Sequence, residues 1–547
     1  MTLYTLTLVD VRRVQPYLFN ANELKQNLGA SALVEQATHD WIAEALKGRR
    51  HNIELTPFQY EVKDRGAIEH GELDAEVIFL GGGNAAILFP DDEAHSPSRM
   101  FTRSFTRSLL ERAPGLEVAV AHVDQVDLSK PGALRGAWKE MQQSAMPRQK
   151  EGRLVSQALL GFGVTAECAY TGLPAIAEPF DENGRGTLLS AQSDAKQSKE
   201  TVEAAKKRLT TLLPIDGFEY PSQFDDLGSD HGHASTLAVV HADGNSMGKR
   251  IQRHVERDDN REMIQRMREF SEAMNQIGLN AIRKVCDWLV HIIDVGEDGK
   301  RIVLDRYNDK MFVRFGNSFY LPMRPLVFGG DDVTFVCDGR LGLALASKLL
   351  ESFSQQTLPD GEPVYACAGV AIVHTHYPFA RAYALAEELC KDAKKQARAW
   401  DDQSRVSLLN WHMASSGLTL DWGEIKRREY QNGNLLLRPL ATNWAGDVTT
   451  VKQWRTWETF ANEQIKVFRD KESWSKQRNK LKDLRIALRT GETATKQFTQ
   501  LYGELPSISM LKEKEVQQTG WFESQCLYFD ALEADDLFIY PKEKARP

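Results

Sequence analysis

An α+β fold containing two ferredoxin-like βαββαβ sheets is predicted for this 547-residue chain by three observations. The stretch LVFGGDDVTFVC, residues 326–337, sets a Gly-Gly-Asp-Asp turn between two β-branched and aromatic runs, the pattern of a tight hairpin. The stretch LAVVHADGNSMGKR, residues 237–250, reads as a strand that delivers Asp243 to its C-terminal end before a helical pattern begins. Residues 1 to about 125 form a divergent echo of residues 235 to about 410.

In the first copy, 1–129, LYTLTLVDVRRVQ places Asp10 after a strand as Asp243 is placed, and VIFLGGGNAAILF keeps the hairpin with Gly83 and Asn84 at the aspartate positions. That copy is a degenerate domain that should hold metal poorly and serve structure or substrate cradling. Residues 130–230 are expected to be a small helical domain between the copies, running from GFGVTAECAYTGLPA to SAQSDAKQSKETVEAAKKRLTTLL. The second copy, 231–412, continues after Asp243 with a long helix that the acidic-polar stretch 257–262 can break, then an inserted hairpin or loop over 295–317 and the Gly-Gly-Asp-Asp hairpin. A helix at 340–356, the strand VYACAGVAIVHTH and the helix AYALAEELCKDAKKQAR complete it. The tryptophan-bearing segments of 413–547 predict an α-helical C-terminal domain, whose basic face suits either RNA or simple solvation. Strand, helix, hairpin, helix, strand is the order found in the palm of many polymerases and cyclases, an architecture that does not by itself fix function.

Size and composition bound the rest. At this length the chain needs about three or four cores. A hydrophobic share of 42%, a charged share of 26% and a net charge of −8 describe an ordinary globular protein and exclude a basic nucleic-acid coat, so any nucleic-acid surface must be local. No signal peptide and no 18-residue apolar run is visible, which predicts a cytoplasmic protein with no membrane partner. The six cysteines contain no CxxC pair, so reduced thiols are expected and no structural zinc.

Asp243, Asp331 and Asp332 are the candidate catalytic residues and metal ligands. Phosphoryl transfer to a hydroxyl uses Mg²⁺ or Mn²⁺ on oxygen ligands, and two-metal sites hold the ions roughly 3.5–4 Å apart, for which three aspartates suffice. An acid-tipped structural hairpin is the plain alternative for the Gly-Gly-Asp-Asp turn alone, and the matching ADGN strand end argues against it. Lys394 and Arg398 lie i,i+4 on one helix face and suit nucleotide phosphates, although two cations at a helix C-terminus equally suit the helix dipole. Lys391 and Lys395 are expected in solvent, and His374 and His376 on one side of a continuing strand as polar surface.

These residues resemble the palm polymerase, or large cyclase subunit, of type III CRISPR effector complexes. The resemblance is carried by FGGDD, ADGNSMGK, CAGVAIVHTHYPF and ELCKDAKK in the second copy and by DVRRVQPYLF, LKQNLGASALVEQATHDW and FLGGGNAAILF in the first, covering most of residues 1–410. It implies two palm domains, the first inactive, around a small middle domain and before a helical C-terminal one. It implies conversion of ATP to 3′,5′-linked cyclic oligoadenylates, second messengers of antiviral defence, within a complex of guide RNA and other type III effector subunits activated by target RNA. Carried over by position, Asp243, Asp331 and Asp332 would bind metal, and Gly244, Asn245, Gly329, Gly330 and Lys394 would line the nucleotide site, with Ser246 beside them. Two family features are not expected here. The first palm begins at residue 3, leaving no room for an HD nuclease domain, with His39-Asp40 read as coincidence; and Cys168 stands alone where the middle domain often binds zinc. A stand-alone, diguanylate-cyclase-like defence enzyme fits less well, since the turn lacks a glutamate in third place and Arg324 lacks an RxxD partner. The remaining alternative is a non-catalytic scaffold subunit of the complex.

Overall fold

The computed structural model describes residues 2–542 apart from 57–58, 64–65, 93–94, 153–163, 181–183, 228–235, 297–298, 308–309, 314–317, 415–420, 432–433, 470–473, 475–476, 510 and 512. It divides into two compact units, one of Met1–Pro214, Met247–Leu279 and Leu358–Glu362, the other of Ile215–Ser246, Asn280–Thr357 and Pro363–Pro547.

In the first unit the strands are β1 (Tyr4–Arg12), the short hairpin β2 (Ile53–Thr56) and β3 (Gln59–Val62), then β4 (Glu76–Gly81), β5 (Asn84–Pro90) and β6 (Glu117–Val126). The four-stranded sheet has the order β4-β5-β1-β6 with all neighbours antiparallel, the ferredoxin-like arrangement in which the first strand lies at the centre. One face is packed by a core that includes Leu6, Ile78, Leu88 and Ala121 and, from the helix Asn260–Ile292, Met263 and Met267. That helix is separated from the helix Met247–Val255 at the expected acidic stretch, where Asp259 Oδ1 accepts from the amides of Arg261 at 2.8 Å and Glu262 at 2.9 Å. Such an acceptor satisfies donors that have no partner within the helix.

The region expected to be helical between the copies is only partly so. Helices Ala133–Glu140, Met146–Gly152, Ala191–Gln197 and Lys199–Leu212 form, but the described residues between Val164 and Ser190 are joined by isolated bridges such as Ala177↔Leu189. Pro174, Pro179, Gly172 and Gly184 interrupt any helical run there, the last two at positive φ. His39 is a helix-end residue: its Nδ1 lies 3.1 Å from the Glu35 carbonyl oxygen and 3.2 Å from Thr38 Oγ1, closing the helix Leu24–Thr38.

In the second unit β7 (Thr236–Gly244) is central. The insertion is a three-stranded sheet, β8 (Ile293–Val295), β9 (Arg301–Leu304) and β10 (Lys310–Phe312), rather than a simple hairpin. The main sheet also takes β11 (Met323–Gly329), β12 (Asp332–Asp338), β13 (Ala366–His374), β14 (Val406–Met413) and β15 (Leu440–Trp444), in the order β11-β12-β7-β13-β14-β15. The first four repeat the ferredoxin-like order; β14 adds parallel to β13, and β15 antiparallel to β14. The sheet therefore draws its last strand from beyond residue 412, within the region read as purely helical, because LLRPLATNW supplies an apolar strand that pairs an otherwise open edge. β13 ends at His374, whose carbonyl accepts from the Tyr377 amide at 2.9 Å, so exposed His374 and His376 flank a turn instead of sharing a strand face. The C-terminal helices Arg478–Thr490 and Glu492–Tyr502 break at Gly491. All six cysteines are free and buried, and no helix among the described residues is long and apolar enough to cross a membrane.

Candidate nucleotide and metal site

The site lies within the second unit, where two strands and one helix bring their polar ends together. Gly329 pairs with Asp332, leaving Gly330-Asp331 as a two-residue turn with φ +78° at Gly330. A two-residue hairpin needs such a conformation, and glycine adopts it without the Cβ penalty. Gly329 has no positive φ, and a Cβ at either glycine would meet nothing within 4 Å, so the turn's backbone is open to an approaching group.

Across the next ladder Asp332 stands opposite Asp243, and the Gly244 amide donates to the Asp331 carbonyl at 3.2 Å. Three aspartates thus gather at one corner of the sheet. Lys394, from the helix Phe379–Trp400, places Nζ 2.6 Å from Asp243 Oδ2 and donates to the Gly244 carbonyl at 2.8 Å, with its side chain 18% exposed. The helix reaches this close because Gly369 of β13 lies beneath it: a Cβ there would fall 2.0 Å from the Ala386 carbonyl oxygen and 2.5 Å from the Cys390 nitrogen.

The electrostatics record the crowding. The Asp331 residue is half-buried, but its carboxyl is pushed up to about 7 by burial and then by the charges of Asp243 and Asp332, against the pull of its own backbone hydrogen bond and of Lys394. Burial opposes the charged form of Lys394 as well, but Asp243 outweighs it and the lysine is held above its usual range. Asp332 Oδ1 is buried and accepts no hydrogen bond. His241 Nδ1 lies 3.3 Å from it, and the carboxylate oxygens of Asp331 and Asp332 are hard donors of the kind a divalent cation takes. Among the described residues no three His, Cys, Asp or Glu side chains are arranged to hold a metal ion unaided. Asp243 is turned to Lys394, so phosphate oxygens and water would have to complete any coordination shell.

Not every residue read from the motifs sits in the site. The Asn245 side chain faces inward, donating to the carbonyls of Ser404 at 3.1 Å and Val406 at 2.8 Å, so it fixes the approach to β14 and leaves no amide donor for a nucleotide. Ser246 is half-buried at φ +57° at the turn out of β7. Arg398 is exposed one turn beyond Lys394, and Lys391 and Lys395 are exposed as expected. Arg324 is a core residue donating to the Pro221 carbonyl at 2.7 Å, pushed down to about 10 by burial. Behind Asp332 lie residues that no motif marks: buried His241, with its ring 5.5 Å from that of Tyr383, and Glu387, whose charge acts on His241. Burial alone would lower the imidazole, but the carboxylates led by Asp332 raise it. The one signal for His241 in the sequence is a polar residue interrupting the apolar run LAVVHA.

The first unit keeps part of this arrangement. Asp10 pairs with Asn84 in the same register as Asp243 with Asp332, and Lys150 forms an ion pair with Asp10 as Lys394 does with Asp243. Its turn is Gly82-Gly83, both at positive φ, where the second unit has Gly330-Asp331. One carboxylate and its lysine remain, and the hairpin acids do not.

The sequence of this region matches one family. Residues 236–402 match the Cas10/Cmr2 second palm domain. This palm is Cas10-like. The fold of the whole chain agrees with that of a chain in the crystal structure of the Csm1–Csm4 cassette in complex with AMPPNP, at 13% identity and a TM-score of 0.50, covering 97% of this chain and 69% of that one. Two further structures are similar: the apo Csm1–Csm4 cassette, at 13% identity and TM-score 0.48 over 97% and 70% of the two chains, and the Csm1–Csm4 subcomplex in the type III-A CRISPR-Csm interference complex, at 13% and 0.46 over 97% and 70%. A search of curated proteins gives no match. The Cas10-like palm thus occupies 236–402, in a chain whose other sheet repeats its strand order.

Proposed function

We propose that the Cas10-like chain is a metal-dependent nucleotidyltransferase that joins ATP into 3′,5′-linked cyclic oligoadenylates, as a subunit of an RNA-guided type III complex with target RNA as activator. The observation that carries this reading is the register that sets Asp332 opposite Asp243, with Asp331 in the adjoining turn and Lys394 on Asp243. The reaction is in-line attack of one 3′-hydroxyl on the α-phosphorus of another ATP, forming a P–O bond while pyrophosphate leaves with the electrons of the broken one and the hydroxyl proton passes to water. Lys394 offers a partly desolvated cation beside the carboxylates, suited to a triphosphate that draws it from Asp243. The open backbone at Gly329 and Gly330 lets phosphates approach closely. Asp331, Asp332 and Asp243 would hold Mg²⁺ or Mn²⁺. A divalent cation, when bound, supplies charge neutralisation and activation of the attacking hydroxyl. The Csm1–Csm4 structure of matching fold was solved with AMPPNP, an ATP analogue, which supports ATP as the substrate class and a Csm4-like protein as a partner.

The test is incubation of the purified protein with each NTP and Mg²⁺ or Mn²⁺, with and without matched guide and target RNA, followed by mass spectrometry. Cyclic oligoadenylate made by wild type and absent from Asp331→Ala/Asp332→Ala is expected. No product from any NTP, with the RNAs and partner subunits present, would leave a scaffold.

A further inference from the structure

Resting on the nucleotidyl-transfer reading, we propose that His241 is a positioning residue that holds the Asp332 carboxylate for the divalent cation. Its Nδ1 lies 3.3 Å from Asp332 Oδ1 and 3.1 Å from Thr334 Oγ1, the residue directly across the ladder. The hydrogen-bond geometry is met with Thr334, so a small turn of the carboxylate or the ring is enough to transfer the Nδ1 proton's hydrogen bond to Oδ1. One oxygen of Asp332 is then restrained and the other remains for the cation.

The chain carries its own control. In the first sheet the positions equivalent to His241 and Thr334 are Leu8 and Ala86, which pair in the same register two residues from Asp10 and Asn84. A strand interior normally takes apolar residues there, and burying an imidazole and a hydroxyl in their place brings a desolvation cost that needs a return. The polar pair occurs where the hairpin carries the aspartate and is replaced by an apolar pair where asparagine stands. His241 is 4% exposed, wedged edge-on against Tyr383 with its rings 5.5 Å apart, so it cannot reach a substrate itself and acts only through its neighbours. Hydrogen-bonded partners of metal-binding carboxylates typically alter metal affinity by about 10- to 100-fold when removed.

The experiment is Mn²⁺ titration of the full chain with AMPPNP, following free Mn²⁺ by electron paramagnetic resonance, so that the readout is metal binding and not turnover. His241→Leu, the residue of the first sheet, and His241→Gln, whose amide falls at the Nε2 position, are expected to weaken Mn²⁺ at least about tenfold. His241→Asn, whose amide falls near Nδ1, is expected to stay within about threefold of wild type. Equal affinity in the Gln and Asn variants would overturn the proposal, and this comparison stands even where the Leu variant fails to fold. If wild type shows no Mn²⁺ binding that Asp332→Asn weakens, the nucleotidyl-transfer reading falls, and the positioning role with it; wild-type binding sensitive to Asp332→Asn but indifferent to His241→Gln overturns the positioning role alone.

Discussion

Gly369→Ala is the substitution that best isolates how the fold builds the site. The added Cβ would lie 2.0 Å from the Ala386 carbonyl oxygen and 2.5 Å from the Cys390 nitrogen, both backbone atoms of the helix that carries Lys394. No rotamer can relieve contact with backbone, so the helix must retreat by about 1.4 Å from β13 to restore an ordinary 3.4 Å contact. Overpacking of this kind costs about 1–3 kcal/mol. At about 2–4 °C per kcal/mol for a domain of this size, melting should fall by roughly 2–12 °C. Because Lys394 Nζ is held 2.6 Å from Asp243, the same retreat breaks that pair, and misplacement by about 1 Å can lower turnover about 100-fold. Differential scanning calorimetry and the cyclic oligoadenylate assay test the two consequences separately. A variant with unchanged melting and unchanged product would refute the argument that the close approach at Gly369 sets the position of Lys394.

Other outcomes follow from the same structure. Lys394→Met should raise the KM for ATP and lower turnover by about 100-fold, as loss of a preorganised cation does, with little change in melting; steady-state kinetics check it. Arg438→Met should destabilise the second unit by about 3–5 kcal/mol, because Arg438 Nη1 is buried with Asp530 at 3.0 Å and Glu533 at 2.8 Å and its loss removes the guanidinium that both buried carboxylates share; urea unfolding measures it. Burial, reinforced by Arg99 and opposed by Asp124, pushes His122 down to about 4, so between pH 6.5 and 4 the unfolded chain binds more protons at this position and stability falls as pH falls. The loss should reach at most about 2 kcal/mol by pH 5 and be smaller in His122→Gln, read from denaturant midpoints across that range.

Much of the fold was legible in the sequence because local pattern and tertiary role coincide there. The runs around Gly329 and Asp332 alternate as a hairpin must, and the echo at Gly81 and Asn84 revealed a second sheet of the same order. Other features depended on partners distant in the chain. The strand Leu440–Trp444 is short, and only an unpaired edge at Val406–Met413 makes it part of the sheet. Asn245 sits in a motif that suits a nucleotide, yet the nearness of the Ser404 and Val406 carbonyls decides what its amide binds.

Periodicity, glycine conformation and motif suffice for the two sheets, the turn that carries Asp331 and Asp332, and the family text of residues 236–402. Long-range packing brings Lys394 to Asp243 while Arg398 stays in solvent, sets Asp332 opposite Asp243, and stands His241 behind it. Strand register and the depth at which a helix packs on a sheet set those distances, and both arise from contacts between residues far apart along the chain.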